Sequence, residues 1–151
     1  MPSMIEASTD IARTPPDVFD FVSDAARLPD WQPAVTEATA EPPGVRAVGM
    51  RGHEVRSVPG GQHTSQWEVT ECEPGKRWGV RGIDGPVRAH VTVTLAPITA
   101  GTATHVDYDI WFEGHGIGKL VRLLAHKGAK KDVPANLALL KARLETPDAT
   151  G

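Results

Sequence analysis

The 151-residue chain has one cysteine, Cys72, one tyrosine, Tyr108, and only three phenylalanines. A lone cysteine excludes an internal disulfide and fits a reducing compartment. Apolar runs are only a few residues long, too short to cross a bilayer. The opening MPSMIEASTD has neither a basic n-region nor an apolar h-region, so no secretory signal is visible and a cytoplasmic location is expected. A net charge of −3, with no basic segment interleaved with stacking aromatics, argues against nucleic-acid binding. What remains is ordinary: 40% hydrophobic and 23% charged residues, the composition of a globular protein. The chain reads as one domain over residues 1–146 with a loose tail at 147–151.

Two stretches resemble catalytic motifs and fail. HEVRS begins at His53 like a zinc-protease helix, but Ser57 stands where the second histidine belongs, and the six histidines are scattered. No metal is expected. EGHGIGKL (113–120) resembles a phosphate loop, yet Glu113 replaces its first glycine and Leu120 its magnesium-binding hydroxyl. It reads better as a hinge, and no cofactor is expected.

The order of elements is legible. MIEASTDI alternates as a half-buried strand. RTPPDVFDFVSD starts a helix, with Thr14 as cap, Pro15 at its first position and Asp17 completing a capping box. DAARL reads as a second short helix stopped by Pro29. Residues 35 to about 113 are strands divided by tight turns. Residues 115 to 145 are helical, with an apolar stripe of Ile117, Leu120, Leu124, Val133, Leu137, Leu140 and Leu144, and Pro134 is expected to kink or split the helix.

The turns set the registers. A Gly60-Gly61 loop places Glu54 opposite Trp67 and Val58 opposite His63. A Pro74-Gly75 loop puts Trp78 beside Glu71 and Val80 beside Val69. An Asp84-Gly85 loop puts Ala89 beside Val80 and Val91 beside Trp78. These registers gather Met50, Val58, Trp67, Val69, Trp78, Val80 and Val91 on one face, continued by Val106, Tyr108, Ile110 and Phe112. His53, Gln66, Arg81, Arg88, His90 and Thr92 fall on the other. The apolar face also holds Glu54, Arg56 and Glu71, with His63 near its edge. Buried carboxylates are costly unless paired or used. Glu54 is therefore either the internal partner of Arg56 or a ligand contact. Tyr108 is either a core residue or a ligand contact.

Several blocks of this sequence, in this order, resemble the SRPBCC superfamily of START/Bet v1-like proteins, within it the polyketide cyclase/dehydrase group. They are IEASTDIARTPPDVFDFVSDAARLPDWQP, WEVTECEPGKRW, ITAGTATHVDYDI and LALLKARLE. The resemblance implies an α+β helix-grip fold: a curved antiparallel sheet wrapped around a long C-terminal helix, with two short helices after the first strand and an apolar cavity between sheet and helix. It also implies a small hydrophobic or aromatic ligand, polyketide- or lipid-like. The cavity-facing set is then Met50, Glu54, Arg56, Trp67, Val69, Trp78, Val80, Val91, Tyr108, Ile110 and Leu124.

Three functions stay open. One is a binding or carrier protein. The second is a cyclase or dehydratase in which Glu54 and Tyr108 handle protons at a carbonyl. The third is a partner-binding module that docks through the basic segment 119–131. Its Lys119, Arg122, Lys127, Lys130 and Lys131, with no acid among them, suit an anionic membrane or an acidic carrier protein and leave −8 on the rest of the chain.

Overall fold

The computed structural model describes residues 4–116 and 118–146, and for residues 118–120 the backbone only. Strand β1 (Ile5–Ile11) leads into α1 (Pro15–Val22), a 3-10 turn (Ala25–Arg27) and the short α2 (Leu28–Trp31). Six further strands come next: β2 (Val35–Glu41), β3 (Arg51–Val58), β4 (Gly61–Glu73), β5 (Arg77–Gly82), β6 (Val87–Ile98) and β7 (Ala103–Gly114). Helix α3 (Gly118–Glu145) closes the chain. The seven strands form one antiparallel sheet in the order β1-β7-β6-β5-β4-β3-β2, so β2 to β7 are consecutive hairpins and β1 returns to pair with β7. This is the expected helix-grip architecture. Among the described residues no helix is long and apolar enough to cross a membrane.

Local chemistry explains the first helices. Thr14 Oγ1 accepts from the Asp17 N–H at 3.4 Å and Pro15 occupies the first turn, while the Asp17 carboxylate turns to Arg13 Nε at 3.1 Å rather than closing the capping box. Asp24 caps the 3-10 turn by accepting from Ala26 N. Pro29 does not stop a helix; it sits in the first turn of α2, where its missing N–H costs nothing.

Apart from Glu71, the strand faces are as expected, but three registers differ. β3 and β4 are joined by a Pro59-Gly60 loop, so Glu54 faces Ser65 and Trp67 faces Gly52. Val80 pairs with Val91, and Trp78 with Val93. Both are two-residue shifts, which preserve the face because side chains alternate with a period of two. The third difference is a bulge at Thr70. Val69 still faces Val80, but Trp78 now faces Cys72, and Glu71 is turned to the convex side, where it meets Arg77 at 2.9 Å. One inserted residue reverses the facing of the residues after it. Glu71 therefore leaves the concave face.

Helix α3 runs through Pro134 as one assigned helix, neither split nor interrupted. Its buried stripe is Val133, Leu137, Leu140 and Leu144. Leu124 does not extend it: Leu124 is 70% exposed. Val133 lies nine residues further on, and at about 100° per residue that is two and a half turns, which places the two on opposite faces. The expected stripe is two stripes. Ile117 and the side chains of Lys119 and Leu120, like the expected tail at 147–151, lie outside the described residues. Polar contacts anchor the far end of α3: Arg13 Nη1 donates to the Leu144 carbonyl at 2.8 Å, Glu145 accepts from Ala12 N at 2.9 Å, and Arg143 Nε donates to the Asp30 carbonyl.

Candidate ligand site on the concave face

β3 carries Glu54 and Arg56 two residues apart, hence on one face. Arg56 Nη2 donates to Glu54 Oε2 at 2.8 Å and to Gln32 Oε1, just past α2, at 3.3 Å. Glu54 is the more enclosed partner, its side chain 16% exposed. Tyr108, on β7, packs edge-on against Trp31 with ring centroids 6.3 Å apart. Burial pushes its phenol up to about 12; the nearby Arg56 cation pulls it down and Glu54 pushes it up. Tyr108 is therefore a neutral hydrogen-bond donor at any ordinary pH, close enough to feel the ion pair. The two expected catalytic candidates, Glu54 and Tyr108, and Arg56 thus lie in one neighbourhood.

Beside this cluster lies a cavity of ≈200 Å³. Its floor is Met50, Trp67, Val69 and Trp78 of the sheet with Ala38 and Ala40 of β2; its roof is Ser23–Ala26 and its rim Glu41, Pro43, Gly44, Val45 and Arg46. Ala38 connects the two regions, since it is the β2 partner of Glu54. Phe19 of α1 meets Trp78, one of the floor residues, edge-to-face at 6.0 Å. Arg46 Nε donates to Ser23 Oγ at 2.9 Å, fastening the β2–β3 connection to the end of α1. The cavity is roofed by this connection and the 3-10 turn, and no described residue of α3 lines it. The expectation placed it against the C-terminal helix.

Trp67 is the most telling lining residue. It is buried, and among the described residues neither its Nε1, which is fully enclosed, nor Trp31 Nε1 has a hydrogen-bond acceptor. A buried N–H left without a partner costs about 1–3 kcal/mol. Gly52 accommodates the Trp67 ring: a β-carbon there would stand 2.5 Å from Trp67 Cη2 and 2.6 Å from the Thr39 carbonyl oxygen.

Of the other expected ligand-facing residues, Val80 and Val91 are paired, partly buried neighbours and Ile110 is buried. All three are on the concave face but not in the cavity wall. Leu124 points away from the sheet. His63, opposite Arg56, is exposed. The roof and rim residues carry no motif. The available signal was the long β2–β3 connection with its Pro-Pro-Gly, because connections longer than a hairpin turn are where binding loops occur. Among the described residues no group of three or more His, Cys, Asp or Glu side chains is placed to hold a metal ion.

The chain matches one family model over residues 4–145, described as polyketide cyclase / dehydrase and lipid transport. The chain belongs to that family. The Zhui aromatase/cyclase from Streptomyces sp. R1128 shares the fold with a TM-score of 0.80 at 12% identity, covering 96% of this chain and 94% of that one. TTHA0849 from Thermus thermophilus gives 0.74 at 20% identity, covering 94% and 97%. A START superfamily protein from Mycobacterium smegmatis gives 0.72 at 15%, covering 94% and 97%. At such identities the likeness is one of fold. No protein of curated function matches by sequence.

Proposed function

We propose that the protein binds a small apolar or aromatic carbonyl compound, polyketide- or lipid-like, in the concave cavity. The observation that carries this reading is a cavity on the concave face whose floor is Met50, Trp67, Val69 and Trp78 and whose rim carries a few polar groups, Glu41 and Arg46 among them. An apolar enclosure with a few convergent polar groups is the usual form of a small-molecule site. The apolar floor binds the ligand's body, and a turn of the Trp67 ring toward the cavity would let a ligand oxygen accept from its enclosed, unpartnered Nε1–H. The cavity of ≈200 Å³ is smaller than the roughly 300–1,000 Å³ of sites for drug-sized molecules, so a larger ligand requires the β2–β3 connection to move. 1-Tetralone, a two-ring aromatic ketone, is a suitable probe. It should quench tryptophan fluorescence saturably, and Trp67→Phe should weaken its binding about tenfold, as expected for one buried hydrogen bond. The reading is rejected if 1-tetralone does not bind and native mass spectrometry of the purified protein finds no retained small molecule.

A second reading, cyclisation or dehydration of a polyketide-like substrate, is favoured by the neutral Tyr108 phenol beside the Arg56–Glu54 pair. A carbonyl extending from the cavity past Ala38 meets a proton donor, a cation and a carboxylate. Tyr108 donates to the carbonyl oxygen, Arg56 stabilises the developing enolate, and Glu54 accepts or returns the α-proton. The family's scope, cyclases and dehydrases alongside lipid transport, supports both readings. Glu54→Gln separates them: it should lower an enzyme's turnover by roughly 10²–10⁴ with binding little altered, and shift a carrier's affinity only modestly.

A further inference from the structure

Helix α3 is built in two halves that face opposite ways. From Val133 onward its apolar side chains lie against the sheet. In the first half the inward positions are taken by Arg122, His126 and Ala129, all partly buried, while Leu123 is 63% exposed and Leu124 70%. Lys127, Lys130 and Lys131 are exposed on the same outward arc, interleaved with the two leucines at the spacing of successive turns. Two large aliphatic side chains set outward among three lysines, on a helix whose other half is packed normally, are not explained by the fold.

We propose that the outward face of the first half of α3 docks on an anionic lipid surface, with Leu123 and Leu124 entering the interface and Lys127, Lys130 and Lys131 meeting lipid phosphates. Charge complementarity selects this occupant. The segment 119–131 carries five cations and no acid, and Glu6, Asp107 and Asp109 lie on the convex side of the sheet, away from α3. The molecule is therefore electrically polarised, and a negative surface attracts its α3 side and repels its back. A second copy is the poorer fit, because a two-fold interface brings like patches together and would oppose lysine to lysine. Aliphatic side chains ringed by lysines, whose stems lie along the interface while their charges reach the headgroups, are the composition of an interfacial helix. The inference concerns a surface the cavity does not use, and it holds whichever ligand the cavity takes.

Sedimentation with large unilamellar vesicles tests it. The full chain should bind vesicles of 70:30 phosphatidylcholine:phosphatidylglycerol at low salt and not pure phosphatidylcholine, and 0.5 M salt should release it. A basic residue near an anionic surface contributes about a fivefold gain, so Lys127→Glu/Lys130→Glu/Lys131→Glu should weaken partitioning by about a hundredfold or more. Leu123→Gln/Leu124→Gln should also abolish binding, and both variants should keep the wild-type circular dichroism spectrum and melting temperature. Absence of binding to the anionic vesicles overturns the proposal, as does binding that survives both variants. Light scattering supplies the remaining arm: a doubled mass that Leu123→Gln/Leu124→Gln returns to monomer makes the face a contact between copies, and the membrane assignment is then wrong.

Discussion

Trp67 and Gly52 are cross-strand partners, and the indole ring occupies the space a side chain at position 52 would need. Gly52→Ala would place a methyl against the Trp67 ring and 2.6 Å from the Thr39 carbonyl oxygen, which is backbone and cannot yield. Overpacking of this kind costs about 1–3 kcal/mol. For a chain of this size that lowers the melting temperature by about 2–12 °C. The same change should alter tryptophan emission and weaken 1-tetralone binding, because the ring must leave its seat. Calorimetry and fluorescence on one variant check both; an unchanged melting temperature would refute the contact.

Tyr108 is the only tyrosine, so tyrosinate absorbance at 295 nm reports it alone. Burial raises its folded-state value to about 12, against about 10 in an unfolded chain. A raised value stabilises the fold fully below pH 10, and that contribution is lost as pH rises toward 12. The native protein should show only about a tenth of the full tyrosinate signal at pH 11, and the same sample in 8 M urea should titrate near pH 10. Tyr108→Phe should flatten the alkaline fall in melting temperature. A native tyrosinate signal by pH 10 would show that the phenol is not buried as described.

The Glu54–Arg56 pair is enclosed more on the carboxylate side. Removing only the cation leaves a largely desolvated carboxylate, whereas removing both charges does not. Arg56→Met should therefore destabilise by about 1–3 kcal/mol, less than for a fully buried pair because Arg56 is partly solvated. Adding Glu54→Gln should recover most of that loss. A double-mutant cycle in urea measures the coupling, and strictly additive losses would mean the contact carries no energy.

Two leucines on one helix should behave oppositely. Leu140 is 1% exposed, and Leu140→Ala should cost about 2–5 kcal/mol. Leu124→Ala, on the outward face, should change stability by no more than about 0.5 kcal/mol. Equal losses would contradict the assignment of faces along α3.

Much of this was legible in the sequence, for reasons that also mark the limits. Hairpin glycines set which residues face inward even where the loop was placed one residue away, because that error shifts each cross-strand partner by two, and an even shift cannot move a side chain across the sheet. The bulge at Thr70 left no such mark, since nothing in EVTECEPG distinguishes an inserted residue, and Glu71 was accordingly placed on the wrong side. Leu124 was grouped with Val133 by composition although their spacing puts them half a turn out of phase. That Glu54, Arg56 and Tyr108 share the concave face was readable from strand alternation. The cavity roof was not, because Ser23 to Ala26 and the β2–β3 connection meet only through tertiary packing and the Arg46–Ser23 contact.

The sheet order has a consequence for how the molecule is made. Strands β2 to β7 can pair each with the one just before it, in the order of synthesis, and such local hairpins form quickly. β1 has no such neighbour. Made before the other six strands of the sheet, it finds its partner in β7, and the anchors from Ala12 and Arg13 reach the last turn of α3. Ile5, Ile11 and the edge they belong to therefore stay unpaired until nearly the whole chain exists. The N-terminal segment is the part of the nascent protein most exposed to chaperones, to proteases and to misplaced strand pairing.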